Sequence, residues 1–196
     1  MGKKIWVYHI IPGVIFFALW LDGWFFPLIL LPLLYVLVVE KKSMEWLGFS
    51  RGKFDFSVIA CFLIDLVLIG MYYPIFLYYL PEKLTWEPPS LYGFFFDVIW
   101  YPVYEEIAYR SFFLIHFADF ENSCLSTRNL IANLSQSLLF LAIHKHHVGM
   151  PLVFIPLFFL GFLNGFLFQK TRNLYGCIAS HAILNSFALF LRYLYR

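Results

Sequence analysis

Residues 54–80 read FDFSVIACFLIDLVLIGMYYPIFLYYL, and this stretch decides the fold class. A helix that crosses a bilayer needs about 20 mostly apolar residues, because the hydrocarbon core is about 30 Å thick and offers no partners to backbone polar groups. The stretch exceeds that length, and its charged residues are limited to Asp55 and Asp65. It therefore predicts a transmembrane helix.

The rest of the chain repeats this apolar pattern. Further runs that could cross a membrane occupy residues 5–21, 24–39, 91–118, 130–144, 151–168 and 174–194. The second of the seven runs, 24–39, is short and follows a two-residue turn, Asp22-Gly23, so it can form a hairpin with the first run that crosses only partly. We predict an all-α, polytopic integral membrane bundle of about seven transmembrane helices (roughly six to eight).

The composition agrees with a single membrane domain. Hydrophobic residues make up 62% of the chain and charged residues only 13%, whereas soluble domains are about half apolar and about a quarter charged. We predict one integral membrane domain over residues 1–196, with a motif-bearing core at about 91–194 and accessory N-terminal spans within 5–80. Lysine and arginine are more numerous on the side that would hold the N-terminus, which predicts a cytoplasmic N-terminus. The predicted location is the plasma membrane.

Two functional classes are excluded by charge and cysteine content. The net charge of +2 comes from scattered residues, so nucleic acid is not a predicted partner. The cysteines, Cys61, Cys124 and Cys177, are too few and too far apart for a disulfide framework or a four-thiolate zinc site.

The most informative residues are charges inside the run 91–118, because a lone charge at the bilayer centre costs at least about 2.5–3.5 kcal/mol. This run contains Asp97, Glu105, Glu106 and Arg110. Each helical residue advances by about 100°, so Glu106 and Arg110, four apart, share a face and are predicted to pair as structural support. Glu105 points about 100° away from Glu106 and is predicted to face a cavity.

Two other runs carry side chains that could meet Glu105. His144 ends the fifth run, while His181 and Asn185 lie four residues apart on one face of the last. A carboxylate can act as general base on a water that attacks an amide carbonyl, a histidine can orient the water, and His181 with Asn185 can donate hydrogen bonds to the oxyanion. The alternative is a zinc site, in which Glu105, His144 and His181 bind the metal and leave a fourth position open.

The predicted span ends make this convergence demanding. Helical rise places His144 nearer the outer face and His181 nearer the inner face, so their meeting requires tilted helices or an extra loop. The polar stretch 135–137 is predicted to line the cavity, and Gly161 with Gly165 is predicted to allow close helix contact. His146 and His147 are interpreted as solvated loop residues.

Three short motifs follow one another along the second half of the chain. They are Glu105-Glu106-x-x-x-Arg110, Phe140-x-x-x-His144 and His181-x-x-x-Asn185. Together they resemble the motifs of the CPBP group, which comprises type II CAAX prenyl proteases and bacteriocin-processing (Abi-like) relatives, over about 91–185. The resemblance implies an all-α intramembrane endopeptidase of glutamate type, in which the first glutamate and the second-motif histidine activate water while the last histidine and asparagine hold the oxyanion. Two positions depart from the pattern, namely Ser111 in place of a glycine and Cys177 in place of a common proline.

We therefore predict an intramembrane protease that hydrolyses a peptide bond of a membrane-embedded or lipid-anchored protein or peptide, with the lipid bilayer as its environment. The alternative from another class is a non-proteolytic immunity or scaffolding protein on the same fold. A small transporter is less favoured, because no pair of matching broken helices indicates inverted repeats. These residues could work with water and a carboxylate alone or as a zinc site, so no cofactor is certain and zinc is the one that they could hold.

Overall fold

The regular elements of this protein are helices wherever its structure is described. The computed structural model describes residues 34–39, 41–83, 90–144, 147 and 149–195. A short π-helical segment, Tyr35–Val39, precedes the longer elements. These are α1 (Phe54–Lys83), α2 (91–117), α3 (Thr127–Ile143), α4 (Phe154–Thr171, after a 3-10 turn at Pro151–Val153) and α5 (Leu174–Leu194).

Three of the described helical stretches are long and apolar enough to cross a membrane, namely Phe54–Tyr79, Pro151–Thr171 and Leu174–Leu194. The prediction of an all-helical membrane protein is confirmed in this coarse form. The predicted runs 91–118 and 130–144 correspond to α2 and α3, which are helical. The run 5–21 and most of 24–39 lie outside the described residues, so the count of about seven spans stays a prediction.

Helix α2 alternates between α-helical and π-helical turns. Its pieces are Leu91–Phe95, Phe96–Trp100, Tyr101–Glu106, Ile107–Leu114 and Ile115–Phe117, of which the second and fourth are π-helical. Pro102 has no N–H, so a carbonyl one turn earlier in the helix loses its usual donor. The wider π-helical turn Phe96–Trp100 lies at this point. Glu105 and Glu106 thus end an α-helical piece that is enclosed between two π-helical ones.

Helices α3 and α4 pack closely through glycines, as predicted. A methyl group added at Gly165 would overlap Asn133 Oδ1 and Gln136 Nε2. Gln136 Nε2 also donates to the Gly161 carbonyl at 2.8 Å, and Ser137 is fully buried. The prediction that residues 135–137 line the cavity is therefore wrong for Gln136 and Ser137, because a polar face in a membrane helix can equally serve hydrogen bonds to a neighbouring helix.

One end of the bundle is fastened by the segment 41–53. The Leu174 N–H donates to the Gly48 carbonyl at 2.8 Å, and Asn173 Nδ2 donates to the Ser50 carbonyl at 2.6 Å. Ser111, at the position where the motif has glycine, donates its hydroxyl to the Leu47 carbonyl at 2.7 Å. The segment therefore connects the start of α5 with the end of α2, and α1 then runs along α5.

Candidate active site

A cavity of about 490 Å³ lies inside the bundle. Its walls come from α1, α2, α4, α5 and the end of α3, and it is lined by all four residues predicted to be catalytic: Glu105, His144, His181 and Asn185. Apolar side chains of α1, α4 and α5 form much of the remaining wall. The cavity wall is therefore both apolar and polar, and the four predicted catalytic residues are among its polar side chains.

Glu105 faces two imidazole rings. Its Oε2 lies 4.0 Å from His144 Nε2 and 3.9 Å from His181 Nε2. The residue is 8% exposed, and Oε2 makes no hydrogen bond to any residue that the structure describes. The predicted helix ends place His144 and His181 at different depths in the membrane, but in the structure both rings lie near Glu105. The His144 ring folds back one turn along α3, in the direction in which helical side chains lean.

Each ring is oriented by its other nitrogen. His144 Nδ1 lies 2.8 Å from the Phe140 carbonyl, which can only accept, so Nδ1 carries the hydrogen. His181 Nδ1 lies 3.0 Å from Glu106 Oε1 and donates to that carboxylate. Both contacts leave Nε2 directed at Glu105, where a neutral ring presents a lone pair.

Glu106 contacts Arg110, the partner that the sequence predicts, and also His181, a partner that the sequence does not predict. Its Oε2 lies 2.9 Å from Arg110 Nε, and both side chains are fully buried. The Arg110 guanidinium stacks over the Phe140 ring, 4.8 Å from its centroid. Because His181 contacts the other oxygen of Glu106, the two adjacent glutamates reach the two nitrogens of one ring instead of separate neighbours.

Asn185 lies on the same face of α5 as His181 and also contacts α2. Its Nδ2 donates to the Asp97 carbonyl at 2.6 Å, within the first π-helical piece. A side-chain amide has two N–H bonds, so this contact uses one of them. The amide is thereby held at the cavity wall.

Comparison with known proteins identifies the family. The family model described as type II CAAX prenyl endopeptidase Rce1-like matches residues 87–187, which include every residue named above as catalytic or supporting. The chain belongs to this Rce1-like family. No curated protein and no solved structure gives a match. Membership in the Rce1-like family, together with the apolar helices, supports a protease that is integral to the membrane and acts on a membrane-associated protein.

The spacing of the candidate metal ligands in this Rce1-like protein does not suit zinc. Tetrahedral zinc with bonds of about 2.0–2.1 Å sets its ligand atoms about 3.3 Å apart, whereas Glu105 Oε2 lies 3.9 and 4.0 Å from the two imidazole nitrogens. Among the described residues, no group of three or more histidine, cysteine or acidic side chains is arranged to hold a metal ion.

Two further residues shape the site. Phe140 is fully buried, and its ring lies 4.7 Å from the His144 ring and 5.6 Å from the His181 ring. Its place in the motif Phe140-x-x-x-His144 was the only signal in the sequence. His147 lines the cavity and stacks with His144 at 6.2 Å, so its interpretation as a solvated loop residue is wrong. His146 lies outside the described residues.

Proposed function

We propose that this Rce1-like protein is an intramembrane endopeptidase of glutamate type. It hydrolyses a peptide bond of a membrane-embedded or lipid-anchored protein that enters the cavity. The observation that supports this proposal is the position of Glu105 Oε2, within 4.0 Å of both imidazole Nε2 atoms in one cavity.

Glu105 and His144 activate the water. Two acceptor atoms 4.0 Å apart leave room for one water oxygen at about 2.8 Å from each. The water donates one hydrogen to each atom, its oxygen attacks the carbonyl carbon of the substrate, and Glu105 takes the proton. Glu105 then gives this proton to the leaving amine as the tetrahedral intermediate collapses.

His181 and Asn185 stabilise the oxyanion. Asn185 donates through the N–H that Asp97 does not use. Because His181 Nδ1–H is directed at Glu106, donation from Nε2 requires the doubly protonated ring, whose positive charge would lie beside the Glu106 carboxylate. Glu106 and Arg110 act as structural support and touch no substrate.

The same proposal includes the extent of the domain, the orientation of the chain and the membrane that holds it. Residues 1–196 form a single integral membrane domain whose core is about 91–194. The N-terminus is cytoplasmic, since lysine and arginine are concentrated on the side that includes the segment 41–53. The plasma membrane is the proposed location.

Comparative peptide analysis tests the proposal. Membranes and secreted peptides from cells that make the wild type, Glu105→Gln or Glu121→Gln are compared, and the substrate found is assayed with purified protein in proteoliposomes. We expect Glu105→Gln to slow cleavage by at least about 100-fold, because general-base catalysis contributes about 10²–10⁴. Glu121→Gln, at an exposed position, should cleave normally. Unchanged cleavage by Glu105→Gln would refute the role of Glu105 as general base. A cellular phenotype that survives in Glu105→Gln although cleavage is lost would favour an immunity or scaffolding role.

A further inference from the structure

Asp65 is a buried acid of α1 that the proposed reaction does not use. It is 2% exposed, and its Oδ1 accepts a hydrogen bond from the Ser180 hydroxyl at 2.5 Å. Its Oδ2 has no hydrogen-bond partner among the residues described. An acid at this position in a membrane helix is costly and is by default functional. Residue 65 lies outside the matched range 87–187, so family membership assigns it nothing.

Ser180 connects Asp65 to the candidate active site because it directly precedes His181 on α5. Successive helical residues differ by about 100°, so Ser180 faces α1 while His181 faces the glutamates of α2. Ser180 is fully buried and His181 is 2% exposed. The two sides of α5 therefore belong to one buried cluster.

The contact between α1 and α5 is tight around this hydrogen bond. A methyl group added at Gly176, one turn before Ser180, would overlap Ser57 Oγ and lie 3.0 Å from Cys61 Sγ. Ser57, Cys61 and Asp65 recur every four residues and so share one face of α1. The side chains at all three positions are small and buried. This face therefore determines how close α5 lies and how it is rotated.

We propose that Asp65 is a positioning residue: its hydrogen bond with Ser180 fixes the rotation of α5 and so holds His181 and Asn185 against Glu105. This inference rests on the proposed function. A rotation of α5 by about 10° would move an atom about 6 Å from the helix axis by about 1 Å. A misplacement of that size can lower the rate of an enzyme by about 100-fold.

Steady-state kinetics in proteoliposomes test this role. Asp65→Asn keeps an acceptor oxygen for Ser180, whereas Asp65→Leu and Ser180→Ala remove the hydrogen bond. We expect the latter two to lower kcat by about 10- to 100-fold with little change in KM. Their double variant should be no slower than the slower single variant. Asp65→Asn should retain most of the wild-type kcat, which a simple loss of fold would not produce.

Ser186→Ala is the matched control, because that hydroxyl donates to the Ala182 carbonyl within α5 itself. It should keep the wild-type kcat, and thermal unfolding in detergent shows that each variant is folded. A wild-type kcat in Ser180→Ala would overturn the inference. Equal losses in Asp65→Asn and Asp65→Leu would also overturn it, because they would indicate a role for charge.

Glu105→Gln, assayed beside these variants, separates the two proposals. If Glu105→Gln is inactive while Ser180→Ala is fully active, only the role of Asp65 is wrong. If Glu105→Gln is fully active, the proposed function itself is wrong.

Discussion

At the scale of single residues, burial decides what the charges of this bundle do. Glu106 and Arg110 are both fully buried, and Glu106 Oε2 lies 2.9 Å from Arg110 Nε. Glu106 also accepts a hydrogen bond from His181 Nδ1. Removing one partner of such a pair costs more than the pair contributes, because the remaining charge stays buried without compensation. Substitutions of Glu106 or Arg110 should therefore act mainly by lowering the free energy of unfolding, and less by changing the rate of cleavage directly.

Arg110→Met tests this role of the buried pair. The variant should lower the free energy of unfolding in detergent by about 3–5 kcal/mol, because the Glu106 carboxylate loses its guanidinium partner. Arg51→Met, at an exposed position, should change it by less than about 0.5 kcal/mol. Adding Glu106→Gln to Arg110→Met should restore part of the loss. A wild-type unfolding energy in Arg110→Met would show that this ion pair does not stabilise the fold.

The sequence predicts this pair but not its third member. A spacing of four residues within one helix fixes the relation of Glu106 to Arg110. His181 is 75 residues further along the chain, and nothing in helical periodicity specifies which nitrogen of its ring meets which glutamate. The same reason explains why the hydrogen bond between Asp65 and Ser180 could not be predicted.

At the scale of elements, the contact between α3 and α4 positions the helix that ends just before His144. Gly161 and Gly165 lie against Ser137, Asn133 and Gln136. The spacing of the two glycines predicted a close contact, but the role of the facing polar residues was predicted wrongly. Polar side chains on a membrane helix satisfy their hydrogen bonds in a wet cavity or on another helix, and sequence alone does not distinguish these two cases.

Gly165→Ala should disturb this contact. The added methyl group would overlap Asn133 Oδ1 and Gln136 Nε2, so we expect a loss of about 1–3 kcal/mol in the free energy of unfolding. Gly70→Ala is the matched control, since a methyl group there has no neighbour within 4 Å. That change should be neutral or stabilising by up to about 1 kcal/mol. Equal effects of the two substitutions would contradict the tight α3–α4 contact.

At the scale of the whole molecule, the helices separate two ends of the bundle. Helix α4 has 18 residues and so is about 27 Å long. The segment 41–53 contacts the end where α4 finishes, through Arg172 Nη2 and the Trp46 carbonyl. Gly149 lies at the other end, just before Pro151–Val153. The apolar runs correctly predicted an all-helical membrane protein. The total number of membrane crossings also depends on the residues before 34, which lie outside the described part of the chain.

Cysteine labelling tests this placement and the proposed orientation together. In a Cys124→Ser background, an impermeant maleimide applied to intact cells should label Gly149→Cys but not Arg51→Cys, because the two positions lie at opposite ends of α4. Permeabilised cells should allow labelling of both positions, which shows that each thiol is reactive. Labelling of Arg51→Cys alone in intact cells would reverse the orientation, and labelling of both would contradict a bundle that separates them.

The proposed mechanism requires Glu105 and His144 to act as one unit on one water molecule. A double-mutant cycle on single-turnover cleavage in proteoliposomes tests it most directly, with Glu105→Gln, His144→Ala and their combination. Each single variant should be slower by about 10²–10⁴, and the double variant should be about as slow as the slower single one, because groups that act as a unit are non-additive. Losses that multiply in the double variant, or a single variant with the wild-type rate, would contradict the account.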